Sequence, residues 1–394
     1  MIDLERVRAD TPACVDLIFL DSAGSSLPPA PVLDEVVGHL RREAEVGGYC
    51  AAQHRADDIE AGHGVFAELL DCEPDEVAFT DSATRSWLSL LDSVPLDAGD
   101  RVLISWAEYG ANAVALLRLA ERSGARVDVV PSDESGQLSV EALRTMLDER
   151  VKLVSLVQVP TNGGLVNPVD EVVDAAHEVG ALVLLDACQS VGQLPVRIRE
   201  SGVDMLTGTG RKWLRGPRGT GFLVVRRDAA QRLQPRLFDH SAAFWESPNS
   251  YRLRDGARVH QLWEYGVAGR LGLIAAARYA LDLGVEEIAD AVRERADRAR
   301  AGLATIPGVL VRDLGRRRCG LVSFTVDGVD PTEVRDRLAE RDITVTVSAP
   351  QGTRIDMTER GLSGLVRASP HYFVSLQQVD AFCAAVDELA RGKA

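Results

Sequence analysis

From Glu76 onward the chain repeats one unit: a short β-branched apolar run, a turn, then a stretch of helical period. EVAFT (76–80) leads into DSATRSWLSLL, and RVLISW (101–106) leads into AEYGANAVALLRLAERSG. RVDVVP (126–131) is followed by a helix near residues 139–147, and VKLVSLVQVP (151–160) by VDEVVDAAHEVG. ALVLLDA (181–187) then leads toward a Gly/Thr-rich segment that holds Lys212. Strands separated by helices pair in parallel, so the pattern predicts an α/β fold, a mostly parallel sheet with helices on both faces. In such sheets ligands sit beyond the carboxyl ends of the strands. Asp186 and the loops after Thr80, Trp106 and Pro160 are therefore expected to converge on one crevice.

The rest of the chain reads as a smaller unit. GLVSFTV, the helix DPTEVRDRLAERD, ITVTVS, LVRASPHYF and a last helix form a second α/β layer. A length of 394 residues suits a large domain with a smaller one. The expected division is 1–20 as a segment packing with the small domain, 21–260 as the large domain and 261–394 as the small C-terminal domain. FLDSAGSSLPP (19–29) reads as a strand end and a loop of small residues, and residues 28–45 as an amphipathic helix stopped by Gly47 and Gly48. Tyr49 then faces a pocket or merely packs. Residues 235–260 lack clear periodicity and are expected to run over the surface near the site. Their Phe244, Trp245 and Tyr251 are either an aromatic wall for a bulky substrate or part of a loop packing or dimer contact.

Charge and cysteine usage exclude several function classes. A net charge of −15 argues against nucleic acid or an anionic membrane as the partner. No apolar run is long enough to span a bilayer and the N-terminus lacks the order of a signal peptide, so a cytoplasmic location is expected. The 6 cysteines show no CxxC pair and the 7 histidines no HExxH cluster, so neither a disulfide framework nor a metal enzyme is expected.

The candidate chemistry lies in residues 184–221. Asp186 ends a strand and Lys212 follows in a Gly/Thr-rich turn. A lysine amine forms a Schiff base with an aldehyde when its site keeps the amine free. A buried carboxylate facing a ring nitrogen keeps that nitrogen protonated and makes the ring an electron sink. Those two roles define a pyridoxal 5'-phosphate (PLP) site. TDSATRS (80–86) places small and hydroxylated residues at a helix start, where free N–H groups suit a phosphate. Thr209 and Arg211 flank the lysine and reach toward the same anion. Each feature has a plainer reading alone, as strand end, solvated lysine or helix cap. Their shared crevice is what favours the PLP reading.

DACQSVGQLPV and TGTGRKWLRGPRGTGFLVVR resemble the PLP-dependent fold-type I enzymes of the class V aminotransferase and cysteine desulfurase-like family, a resemblance that runs from LDSAGSS to VRASPHY. EAEVGGYCAA and the RKWL and GPRG segments are similar in particular to hercynylcysteine sulfoxide lyases of ergothioneine biosynthesis and to enzymes of S-conjugated cysteines. The resemblance implies a large domain with a mostly parallel seven-stranded sheet and PLP as cofactor. It implies Lys212 as the Schiff-base residue, Asp186 on the pyridine nitrogen and Gln189 on the phenolic oxygen. Ala83, Thr84, Thr209 and Arg211 would hold the phosphate, with Thr161 or Asn162 near the cofactor oxygen. Tyr109 takes a ring-stacking, catalytic position, Arg367 the substrate carboxylate, and Tyr49 and Ala23 the remaining substrate contacts. A homodimer with active sites near the subunit interface is implied as well.

Two departures shape the expected activity. Residues 348–365 contain no cysteine, whereas desulfurases carry a mobile sulfur-accepting thiol there. Val267 stands where relatives place a threonine that reaches the partner's phosphate, a contact that is lost or taken over by Tyr265. The expected activity is therefore a carbon–sulfur lyase that splits an S-substituted cysteine into a thiol, pyruvate and ammonia, and not a persulfide-forming desulfurase. The alternatives are decarboxylation-dependent oxidative deamination of an S-cysteinyl conjugate, transamination or epimerisation. A non-catalytic regulator is disfavoured, because the chain has no added basic unit.

Overall fold

The computed structural model describes residues 2–392, so residue 1 and residues 393–394 of the expected terminal units lie outside it. Its strands are β1 (Ile18–Phe19), β2 (Val77–Thr80), β3 (Arg101–Ser105), β4 (Arg126–Val130), β5 (Val151–Val157), β6 (Leu182–Asp186), β7 (Met205–Thr209) and β8 (Gly221–Val225). They continue with β9 (Ala243–Ser247), β10 (Ser250–Leu253), β11 (Val309–Val311), β12 (Val322–Val326), β13 (Ile343–Thr344), β14 (Thr346–Ser348) and β15 (Leu365–Ala368).

The central sheet has seven strands in the order β2-β8-β7-β6-β5-β3-β4. The pairs among β3 to β7 are parallel, whereas β8 runs antiparallel to both β7 and β2. The expected mostly parallel α/β sheet is therefore present, with one reversed strand. The link from β7 to β8 is too short for a helical crossover, and a strand that returns directly must run antiparallel. Two reversals leave β2 pointing the same way as β6, so the ends at Thr80 and Asp186 share one edge. Successive residues of β6 alternate between two apolar layers. Leu182 and Leu184 pack on one side, Val183 and Leu185 on the other, as a sheet covered on both faces requires.

The second sheet, β11-β12-β15-β14, is antiparallel. β1 pairs in parallel with β13, and Ser369 N donates to Leu20 O at 2.6 Å. This pairing lays the small-residue loop after β1 beside the end of β15. Residues 235–260 differ from the expected irregular path, because β9 and β10 form an antiparallel hairpin. Trp245 on it is 81% exposed, and Arg252 and Arg254 lie over the Phe244 ring at 4.5 and 4.6 Å. A hairpin held by its own surface residues has no buried face, hence no apolar alternation to read. Among the described residues no helix is long and apolar enough to cross a membrane.

Candidate active site

β6 ends at Asp186, whose side chain is buried. Cys188 N donates to its Oδ1 and Asn112 Nδ2 to its Oδ2, each at 3.0 Å. The neighbouring strand β7 ends at Thr209, and Gly210 and Arg211 carry the chain to Lys212. Burial pulls the Lys212 amine below the ordinary lysine range, and the Arg211 and Arg367 charges act in the same direction, against Cys188 and Asp186. The free amine that a Schiff base requires is thereby favoured.

The helix Ala83–Ser93 begins at the same edge. Ser82 caps it by accepting from Arg85 N at 3.2 Å, which leaves the amides of Ala83 and Thr84 without intrahelical acceptors. Gly221 opens β8 directly against this turn; a Cβ there would strike the Ser82 carbonyl carbon. One pocket is lined by Ala83, Thr84, Tyr109, Thr161, Asp186, Gln189, Thr209, Arg211 and Lys212, together with Cys188 and Thr220. Nine residues singled out in the sequence are thus gathered in one cavity. Its donor set combines a helix N-terminus, hydroxyls, a guanidinium, a buried carboxylate and a desolvated amine, which fits PLP.

The remaining candidates are placed differently. Arg367, on β15, donates from one terminal nitrogen to Thr161 O and Oγ1, both at 2.9 Å, and from the other to Asp21 Oδ1 at 3.2 Å. Its Nε is buried without a partner. Asn162 points away from the pocket and donates to Asp356 Oδ2 at 2.6 Å, so Thr161 is the residue of that pair on the cavity. Ala23 contributes its backbone, accepting from Gln189 Nε2 at 3.0 Å and donating to Ser369 Oγ at 2.9 Å. Tyr49 is not brought to the cavity of this chain; it is 83% exposed near the start of the helix Gly48–His54. Tyr265 instead lies against Arg270, whose guanidinium is 3.3 Å from its ring centre. Phe244, Trp245 and Tyr251 likewise do not line the cavity.

Several supporting residues were missed in the sequence. Glu108 is buried behind Asp186 and joined to it through Asn112. Trp213 Nε1 donates to Gln189 Oε1 at 2.9 Å. Arg215 closes the lysine turn, its amide donating to Lys212 O at 3.0 Å, with a left-handed backbone at φ 63°. Its buried guanidinium holds that strained position through Leu27 O, Thr11 Oγ1 and Tyr372 Oη. The turn Pro350–Gly352 and the helix Arg354–Glu359 pack beside the start of the helix Gly110–Ser123, with Asp356 N donating to Trp106 O at 3.2 Å. The residues signalling these contacts are present in EYGAN and KWLR, yet nothing local marks them as partners.

Comparison with known proteins places this arrangement among relatives. The family model for aminotransferase class-V matches residues 18–382. A probable cysteine desulfurase of Methanothermobacter thermautotrophicus is 27% identical over 98% of this chain and 98% of its own. A probable cysteine desulfurase 2 of Mycobacterium leprae is 31% identical, over 98% of this chain and 96% of its own. The apo structure of a cysteine desulfurase from Thermococcus onnurineus superposes with a TM-score of 0.92 at 25% identity, covering 100% of this chain and 99% of that one.

These names correct the activity expected from the sequence. The carbon–sulfur lyase reading, with its decarboxylating, transaminating and epimerising alternatives, gives way to the desulfurases matched over nearly the whole chain. The likeness to hercynylcysteine sulfoxide lyases in particular is replaced in the same way. So is the exclusion of persulfide-forming desulfuration. The physical reason is that a missing thiol in residues 348–365 says where the sulfur acceptor is not; it does not say which bond breaks.

Proposed function

We propose, because the chain belongs to the aminotransferase class-V family, that it is a PLP-dependent enzyme that takes the sulfur of free cysteine and delivers it to an acceptor thiol. The observation that carries this reading is the buried pocket in which the desolvated Lys212 amine and the Asp186 carboxylate meet a helix N-terminus. PLP is the cofactor, and when bound it supplies an electron sink for bonds broken at the substrate α-carbon.

The chain's own residues do the rest. The Ala83 and Thr84 amides, Thr209 and Arg211 would hold the phosphate. Asp186 would face the ring nitrogen, and Gln189, whose Nε2 donates to Ala23 O at 3.0 Å, would lie on the side of the phenolic oxygen. Lys212 would hold the aldehyde, and its amine, when free, would move a proton at the substrate α-carbon. Arg367 would orient the substrate through its carboxylate, and Tyr109, on the pocket wall, would face the ring. In this reading residues 21–260 carry the cofactor and residues 261–394 carry the carboxylate clamp.

The acceptor in this reading is an external thiol, because Cys188 is the one cysteine among the described residues that lines the pocket. Burial, with Asp186 adding, pushes the Cys188 thiol well above its ordinary range, so it stays protonated and a poor nucleophile. Residues 348–365 offer none. The balance is cysteine plus acceptor thiol giving alanine plus acceptor persulfide; the carbon–sulfur bond breaks and a sulfur–sulfur bond forms. The exposed Tyr49, Trp245 and Trp263 support a homodimer, in which a second copy covers them. Sulfide release from cysteine in excess dithiothreitol tests the proposal. K212A is expected to abolish it, and a K212A variant turning over at the wild-type rate would contradict the role given to Lys212.

A further inference from the structure

Asn112 spends a single side-chain nitrogen on two carboxylates. Its Nδ2 lies 3.0 Å from Asp186 Oδ2 and 3.0 Å from Glu108 Oε1, so its two hydrogens are both committed. Glu108 is 2% exposed, accepts from Tyr109 N at 2.8 Å through Oε1, and accepts from Ser155 Oγ at 2.8 Å through Oε2. It does not line the pocket. It sits one layer behind the residue that meets the cofactor, at the start of the helix that carries Asn112.

One amide bridges these two buried carboxylates, which places the Asp186 charge directly against Glu108. Asp186 is the charged group facing Glu108, from β6; β5 presents Ser155, and the following helix Asn112 and the Tyr109 amide. Desolvation pushes the Glu108 carboxyl up to about 7, with the Asp186 charge adding to it and the donors opposing. The Ser155 hydroxyl can donate to the ionised carboxylate or accept from the protonated acid, so the network accommodates both states without rearrangement.

We propose that Glu108 is a positioning residue for the cofactor: through Asn112 it fixes the Asp186 carboxylate toward the ring nitrogen, and by taking or losing one proton it sets how firmly that nitrogen stays protonated. An ionised Glu108 adds a second negative charge behind Asp186 and favours the protonated ring. A neutral Glu108 leaves Asp186 to act alone. The site therefore carries a proton switch that never touches substrate.

The inference rests on the cofactor assignment, and its test reads the cofactor instead of turnover. Purified wild type, E108Q and S155A are saturated with PLP, and the visible absorption band is followed from pH 5.5 to 9, with dissociation constants from fluorescence titration. E108Q is expected to bind PLP within about threefold of wild type while its band titration moves to lower pH by about half a unit or more. S155A, which removes one donor to the ionised form, is expected to shift the Glu108 inflection to higher pH, and it decides the matter should E108Q fail to fold. Band titrations of the folded variants that superimpose on wild type would overturn the proposal alone. A wild type that takes up no chromophore would overturn the cofactor assignment with it.

Discussion

The indole N–H of Trp213 donates to Oε1 of Gln189 at 2.9 Å. Both side chains are buried, so this bond decides which end of the amide meets the pocket. With Oε1 taken, Nε2 turns toward Ala23 O and the Thr161 hydroxyl, at 3.0 and 3.5 Å. Trp213, the residue directly after Lys212, thus orients a donor that follows a different strand end.

W213F keeps most of the ring packing and strands Gln189 Oε1 without a donor. A buried acceptor left unmade costs about 1–3 kcal/mol. Urea denaturation should show that loss with an unchanged slope, and the cofactor band should move in wavelength. Wild-type stability in this variant would show that the bond does not hold the amide.

Gly110 opens the helix Gly110–Ser123, and a Cβ there would collide with the Gln351 carbonyl oxygen. G110A should therefore displace the segment of residues 350–359 while leaving the sheet intact. Hydrogen exchange is expected to quicken in that segment and to stay slow in β5 and β6; equal protection in both proteins would contradict the close packing of Gly110 on Gln351.

Arg367 meets Thr161 and Asp21 with both terminal nitrogens. A lysine keeps the charge and loses the planar fork that suits a carboxylate. R367K should raise the KM for cysteine by about 10- to 100-fold with kcat within about threefold. An unchanged KM would remove Arg367 from substrate binding.

Glu108 makes stability depend on pH in a direction opposite to most carboxylates. Its folded carboxyl, pushed up to about 7, keeps a proton that the unfolded chain gives up from the ordinary carboxylate range upward. The linked stability is present at low pH and lost as pH rises through about 7. The span from 4.5 to about 7 corresponds to a contribution on the order of 3 kcal/mol. Thermal melts of the cofactor-free protein should show wild type losing stability relative to E108Q between pH 5 and 8; parallel curves would contradict it.

The residues that form the pocket were legible because each sits in a local motif. Asp186 ends an apolar run, Lys212 follows a Gly/Thr turn, and Ala83 and Thr84 open a helix. What joins them was not. Asn112 reaches Asp186 across 74 positions and Arg367 reaches Asp21 across 346, and no periodicity encodes such pairs. The direction of β8 follows from the length of its connection, which an apolar run does not display. The hairpin of β9 and β10 escaped because its residues are mostly exposed, and strand reading depends on a buried face. The activity differs from the expected one for a related reason: the absence of a cysteine from residues 348–365 concerns only the sulfur acceptor, whereas the similarity to desulfurases covers nearly the whole chain.

The most direct test of the central claim is the product ratio from cysteine. PLP-loaded protein is incubated with cysteine and excess dithiothreitol, and alanine, pyruvate, ammonia and sulfide are quantified together. Sulfur transfer predicts alanine and sulfide in equal amounts. Pyruvate and ammonia in place of alanine would contradict it.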